Sequence, residues 1–435
     1  MKVLFVSGMG GDTRRYRCIH HQEQLALAGV ESTLREPGDL RLYVDVTKHD
    51  IVILHRAPYS DSVQAVIQIA HALGKPVIFD TDDLVWRTDL LPHMALLDTV
   101  SSGEAQKIRN DTADLRQTLQ QCDCALVSTR FLAERIESEG TPAFVHRNAC
   151  SEQMIRIAEP AHELHVRSRS NGQEVTIGYL SGTGSHNRDF ATITPALLEI
   201  LKAYPDVKLL LGGYLDISPA FEAYSHRVRR APFVSWRELP QIQAQADINI
   251  APLELSNPFC QAKSEIKYSE AALVGVPTVA TPVGAFQFAI QNGDNGMLAD
   301  GNRAWRTALG ALIENPSLRH TMGNAAREHV LQEYVPRVRS KQLIALLENV
   351  QKRVVPPDTN VASGPEVVAE IMTKRMERLA VMAHEQEREL DRLRQSAGTW
   401  GTFPQYGYPR RAWRRAKQLV AQGPRRMLSR QKGKP

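Results

Sequence analysis

Short, nearly continuous apolar runs separated by amphipathic stretches set the rhythm of the first third of the chain. Residues 3–7, 51–55, 77–80 and 125–128 are such runs, each bounded by Gly, Pro, Asp or Ser. That is the pattern of strands covered on both faces of a parallel sheet. Residues 15–28 and 61–73 between them repeat at helical spacing, the second closed by Gly74-Lys75-Pro76. A βαβ rhythm of this kind predicts a doubly wound sheet. After a polar stretch at 163–173 the rhythm restarts, with strand-like runs at 175–180, 207–211, 248–251 and 278–281. Helices are expected there at 195–203, 264–274 and 303–314. The fold class is therefore α/β, with two tandem doubly wound, Rossmann-like domains facing a cleft. In such sheets ligands bind outside the carboxyl ends of the strands.

The pattern changes near residue 350. Pro356-Pro357 ends the globular part, and Gly364-Pro365 opens a long charged helix running to about 395. Val368, Met372, Leu379 and Leu393 fall on a loose heptad, with Met376, Ala383 and Leu390 beside them. Coiled-coil self-association and a single solvated helix against the body both fit. The expected divisions are 1–160, 161–349, a helical extension at 350–400 and a tail at 401–435.

Composition narrows the class. A chain of 435 residues can bury two cores, and 43% hydrophobic with 23% charged residues is ordinary for a globular protein. No run approaches the ~18 apolar residues of a membrane span. Met1–Ser7 reads as a strand rather than a signal peptide, so a cytoplasmic chain is expected. Its five cysteines, Cys18, Cys122, Cys124, Cys150 and Cys260, should then be reduced structural thiols. Cys122-Asp123-Cys124 has the wrong spacing for zinc, and no metal or other cofactor is expected. The net charge of +5 is smaller than the ten Lys and Arg residues packed into 401–435, which holds no Asp or Glu. The body before the tail is therefore mildly acidic.

The segment 257–280 carries the densest chemistry. If a helix begins near Lys263, then Lys263, Lys267 and Glu270 share one face, with Lys263 and Ser264 in the first turn. A helix N-terminus favours anions, and a lysine there adds a full positive charge. A carboxylate two turns deeper can accept bonds from two vicinal hydroxyls. Diphosphate and ribose are the shared part of every nucleoside-diphosphate sugar. An exposed Lys/Glu face is the competing reading.

This segment resembles the donor-binding helix of retaining GT-B glycosyltransferases related to glycosyltransferase family four, and the likeness extends through most of residues 1–345. The family's signature has two glutamates eight positions apart. Glu270 in Glu270-Ala271-Ala272-Leu273-Val274-Gly275-Val276-Pro277 matches the second, whereas Ala262 stands at the first, which usually touches the transferred sugar. Glu265 is the nearest substitute. Gly182-Thr183-Gly184 follows the first strand of the second half, where the family has a Gly-Arg pair at phosphate. The arginine is missing, and Arg188 could swing in. Trp236 sits where the family's nucleobase contacts lie, so stacking on a base and burial in the core are both open.

In the first half, Gly10-Gly11-Asp12-Thr13-Arg14-Arg15-Tyr16-Arg17 is similar to the family's glycine-rich first loop. Gly10 and Gly11 would let the backbone approach an anion, and Arg14 and Arg17 would suit phosphate or carboxylate. A plain strand–helix turn fits equally, and the stretch is neither a dinucleotide fingerprint nor a Walker loop. Asp82 takes the place of a family histidine that contacts the transferred sugar. Asp82 or Asp83 could bind sugar or acceptor hydroxyls, cap a helix, or hold a metal. Ser128–Ala133 and His146–Ala149 resemble the family's closing strands before the interdomain linker.

The resemblance implies transfer from a nucleotide sugar to a carbohydrate or lipid-linked acceptor, with retention, in surface polysaccharide or glycoconjugate synthesis. Lys263 would stabilise the departing diphosphate, Glu270 would hold the ribose, and Asp82 would complete the catalytic set. A nucleotide-sugar epimerase or hydrolase and a non-catalytic scaffold are the alternatives. In the tail, Ala412, Trp413, Ala416, Leu419 and Val420 form an apolar face ringed by arginines, after Phe403, Tyr406 and Tyr408. Such a segment suits an anionic membrane surface, at roughly 1 kcal/mol per nearby cation, placing the chain at the inner face of a membrane. Nucleic acid is the rival partner and is not expected; a tail without a partner is the third reading.

Overall fold

The computed structural model describes residues 1–98, 100–168, 174–182, 186–353 and 364–397. The basic tail and Thr183 lie outside them. Each half folds around a six-stranded parallel sheet. The first contains β1 (Lys2–Ser7), β2 (Glu31–Arg35), β3 (Ile51–His55), β4 (Val77–Thr81), β5 (Cys124–Val127) and β6 (Ala143–Val145), in the order β2-β1-β3-β4-β5-β6. The second contains β7 (Val175–Ser181), β8 (Val207–Gly213), β9 (Val228–Ala231), β10 (Ile248–Ala251), β11 (Thr278–Ala280) and β12 (Met297–Leu298), in the order β12-β11-β10-β7-β8-β9. Strand order reverses between β1 and β3 in the first sheet and between β7 and β10 in the second. These reversals open the crevices in which doubly wound folds bind ligands.

The eight strands expected from apolar runs are all present. β2, β6, β9 and β12 were not expected. They are the four edge strands of the two sheets, and Glu31–Arg35 and Val228–Ala231 carry charges on their exposed positions. Alternation along β1 and β3 divides the first core in two. Leu4, Val6, Val52 and Leu54 meet Val63, Val66 and Ala70 of helix Asp61–Ala72. Val3, Phe5, Ile51 and Ile53 meet Leu25 and, from far along the chain, Leu343, Leu347 and Val350.

That second contact ties the end of the second half to the first. Helix Pro336–Arg353, counted with the second domain in the sequence, completes the core of the first. Helix Glu152–Ser168 makes the reverse exchange: Met154, Ala158 and Ala161 pack with Ala271, Ala272 and Val276. The chain crosses between the domains twice. The extension forms helix Gly364–Ala397, whose Val368, Ile371 and Met372 lie against the first domain beside an Arg378–Asp61 ion pair of 3.2 Å. Two of the heptad positions are thus covered within the chain itself. Among the described residues no helix is long and apolar enough to cross a membrane.

Candidate active site

In the segment 257–280 the helix expected from near Lys263 begins three residues later, at Ile266. Asn257 caps a short helix, Pro258–Ala262, by accepting a bond from the Phe259 amide (3.0 Å). Lys263 then turns extended (φ −61°, ψ 141°), and a second helix, Ile266–Leu273, begins after Glu265. Lys267 and Glu270 share a helical face, but Lys263 stands on the bend before it. Glu265 causes part of this break by turning inward. It is 2% exposed and accepts bonds from Tyr334 Oη (2.8 Å) and Arg147 Nη1 (3.3 Å). A carboxylate so committed braces the domain junction and does not replace the glutamate missing at Ala262. Ala262 is itself buried, and its carbonyl accepts from Thr129 Oγ1 of the first domain (3.4 Å).

Lys263, Ser264, Glu270 and Trp236 meet the first domain across the cleft, whereas Lys267 keeps to the second. Lys263 Nζ lies 2.7 Å from Asp83 Oδ2, just past the end of β4. Burial works against charge on Lys263, yet Asp83 holds its ammonium above the ordinary lysine range. Ser264 Oγ accepts from Asn148 Nδ2 (3.1 Å). Glu270 Oε1 accepts from Tyr16 Oη (2.7 Å) and lies 3.9 Å from Arg15 Nη2; burial pushes its carboxyl up. Lys267 donates to the Leu180 carbonyl at the end of β7 and lies over the Tyr179 ring, and burial lowers its pKa. Trp236 is half-buried against the second domain's core, with the Arg15 and Arg237 guanidinium groups 4.9 and 4.4 Å from its ring centre.

The opposing wall is a polar chain at the β1/β3 reversal. Ser7 Oγ and Thr13 Oγ1 lie 2.9 and 3.1 Å from the two ring nitrogens of His55. Thr13 donates to Asp82 Oδ1 (2.6 Å), which also pairs with Arg56 Nη2 (2.6 Å). Burial opposes charge on Asp82, but Arg56, His55, the Thr13 hydrogen bond and Arg17 together outweigh it and hold the carboxyl well below the usual range. Arg56 has φ 39°, the only positive φ among the described non-glycine residues. A non-glycine side chain in that region stores strain, which proteins concentrate at working sites.

Other expected residues fall elsewhere. Gly10 and Gly11 are exposed at the loop tip, and Gly11 (φ 74°) starts helix Gly11–Arg14. Arg14 pairs with Glu36 (2.8 Å). Arg17 is a correction. It is 0% exposed, donates through two nitrogens to both oxygens of Asp80 (3.0 and 2.7 Å), and bonds the His146 carbonyl (2.7 Å). It is a buried strut with no face open to phosphate. Gly182 is exposed at the end of β7, and Arg188 is exposed beyond it. Among the described residues no His, Cys, Asp and Glu cluster could hold a metal ion. Sequence reasoning saw Arg15 only as part of an arginine cluster and gave no role to Tyr16, Arg56 or His55, since only the folded cleft brings them to Glu270 and Asp82.

Residues 174–315 match the family described as glycosyl transferases group 1. A D-inositol 3-phosphate glycosyltransferase of Corynebacterium urealyticum is 36% identical over 170 residues, which is 36% of this chain and 38% of that protein. A GDP-mannose-dependent alpha-(1-6)-phosphatidylinositol monomannoside mannosyltransferase of Mycolicibacterium smegmatis is 29% identical over 35% of this chain and 42% of that protein. The chain thus spans less than half the length of these relatives. The Anabaena protein HepE, solved in complex with UDP, superposes on 80% of this chain and 100% of its own, with TM-score 0.53 and 14% identity. That likeness establishes a GT-B fold.

Proposed function

We propose, starting from the group 1 glycosyl transferase domain formed by residues 174–315, that the chain moves a sugar from a nucleoside-diphosphate sugar to an acceptor hydroxyl in the cleft. One observation carries the reading: Lys263, Lys267 and Glu270 gather at the carboxyl ends of the second sheet, opposite Asp82 and Asp83 at those of the first. Two ammonium groups offset the charge of a departing diphosphate, and the Glu270 carboxylate accepts from ribose hydroxyls. Asp82, kept ionised by Arg56, is the hydroxyl acceptor on the other wall. No resident metal or cofactor is called for.

The reading is tested by thermal shift with UDP, GDP and ADP and their sugars, followed by transfer assays. Lys263→Ala is expected to weaken diphosphate binding ten- to a hundredfold, about 1.5–3 kcal/mol for a contact to a charged group. Glu270→Ala should weaken nucleotides more than inorganic diphosphate. Unchanged binding by both variants would end the donor assignment, and donor turnover without acceptor would favour an epimerase or hydrolase.

The acceptor is proposed to be a carbohydrate or lipid-linked polyol, in keeping with the inositol phosphate and phosphatidylinositol mannoside in the relatives' names. The ten cations of 401–435, with their aromatic residues, are proposed to hold the enzyme at an anionic membrane. Liposomes containing anionic lipid should sediment the full chain, and a chain ending at residue 400 much less. Equal sedimentation would exclude the tail.

A further inference from the structure

The β7/β10 reversal in the second sheet holds a cluster that the donor reading leaves unused. Asp189, 4% exposed, reaches from the segment after β7 to the segment after β10. Its Oδ1 accepts from the Glu254 amide (3.2 Å) and from Cys260 Sγ (3.1 Å), three residues before Lys263. Its Oδ2 lies 3.0 Å from His186 Nδ1. A carboxylate fixed on three sides sets both the orientation and the tautomer of an imidazole, placing the hydrogen on Nδ1 and leaving Nε2 on the opposite edge. The His186 side chain is 18% exposed. Burial opposes a proton on the ring, and Lys267 and Lys263 lie near enough that their charges add to that opposition. The exposed Arg188 adjoins it, and Asp216 bonds to the neighbouring Asn187 (3.0 Å).

We propose that His186, aimed by Asp189, is a ligand for the donor's diphosphate and takes up a proton as that anion arrives. The inference rests on the donor reading and deepens it, supplying a switchable cation where the loop carries no arginine. Without a bound anion, burial and then the two lysines favour the neutral ring. A diphosphate between them reverses the local field and favours the imidazolium, which gains a charge-assisted hydrogen bond. Asp189, buried yet held ionised mainly by His186, stabilises that cation from behind.

The probe is whichever of UDP-glucose, GDP-mannose and ADP-glucose binds the full chain best, since their phosphates stay ionised across the range. Affinity should fall as pH rises from about 6 to about 8, and titration in buffers of different protonation enthalpy should show net proton uptake. His186→Gln should bind about ten- to a hundredfold more weakly at about pH 6, with a flatter pH profile and no matching uptake. Asp189→Asn should move the midpoint to lower pH. Binding by wild type without proton uptake, or an unchanged profile in His186→Gln, would overturn the inference while leaving the Lys263 result standing. A wild-type chain that bound none of the three probes would overturn the donor reading as well.

Discussion

Arg17 and Asp80 form a pair with no exposure on either side chain. Removing one member of a buried pair leaves an uncompensated charge, which costs about 3–5 kcal/mol. Arg17→Met should therefore destabilise the first domain by that amount, measured as a drop in urea midpoint, without a specific effect on nucleotide affinity. Arg56 gives a finer comparison. Arg56→Gly and Arg56→Ala both strip Asp82 of its partner, but only alanine keeps a Cβ at φ 39°. The glycine variant should be more stable than the alanine variant by about 1 kcal/mol, and equal stability would show that the strain is relaxed elsewhere. At this scale the sequence placed the candidate residues in one segment and concealed their partners. Lys263 and Glu270 were readable because they sit in one segment. Asp83 and Tyr16, 180 and 254 positions away, touch them only across the cleft.

The elements show where periodicity is a sufficient guide and where a side chain overrides it. Central strands such as Ile51–His55 are buried throughout, so their apolar runs announce them. The edge strand Glu31–Arg35 has one exposed and four half-buried positions and gives no comparable signal. The expected helix at 264–274 starts two residues late, at Ile266, after Glu265 turns into the junction with Arg147 and Tyr334, which lie 118 and 69 positions away. Helix 15–28 likewise starts earlier, at Gly11, and widens into a π-turn at Arg15–Ile19 before continuing to Leu27. Such a turn is common at functional sites, and here it contains Arg15, Tyr16 and Arg17. The end of helix Ile266–Leu273 was readable. Gly275 has φ 78°, and an added Cβ would lie 2.8 Å from His162 Nδ1. Gly275→Ala should lower stability by about 1–3 kcal/mol, judged by denaturant unfolding; a neutral result would mean that His162 swings clear.

For the whole molecule, buried histidines set the acid limit. Burial, aided by Arg15, pushes His20 down to about 4, and burial pushes His55 down to about 3, from an ordinary 6.5. His21 and His146 are also driven well down by burial. Below 6.5 the unfolded chain binds protons that these folded sites refuse. Stability is therefore full above that pH and declines as pH falls toward the depressed values, by up to about 1.4 kcal/mol per pH unit for each histidine. Unfolding at about pH 7.5 and about pH 5 checks this, and replacing His55 by Asn should flatten the slope.

Helix Pro336–Arg353 adds a constraint on timing. Leu343, Leu347 and Val350 finish an interior begun by Val3 and Phe5, so the amino-terminal sheet waits on the ribosome until more than three quarters of the chain has been made. During that wait its unfinished face is open to chaperones, and a nascent chain arrested near residue 330 should remain protease-sensitive from its first strand. The same dependence governs recombination with relatives. A chimera that exchanges the second half must leave residues 336–353 with the half they seal.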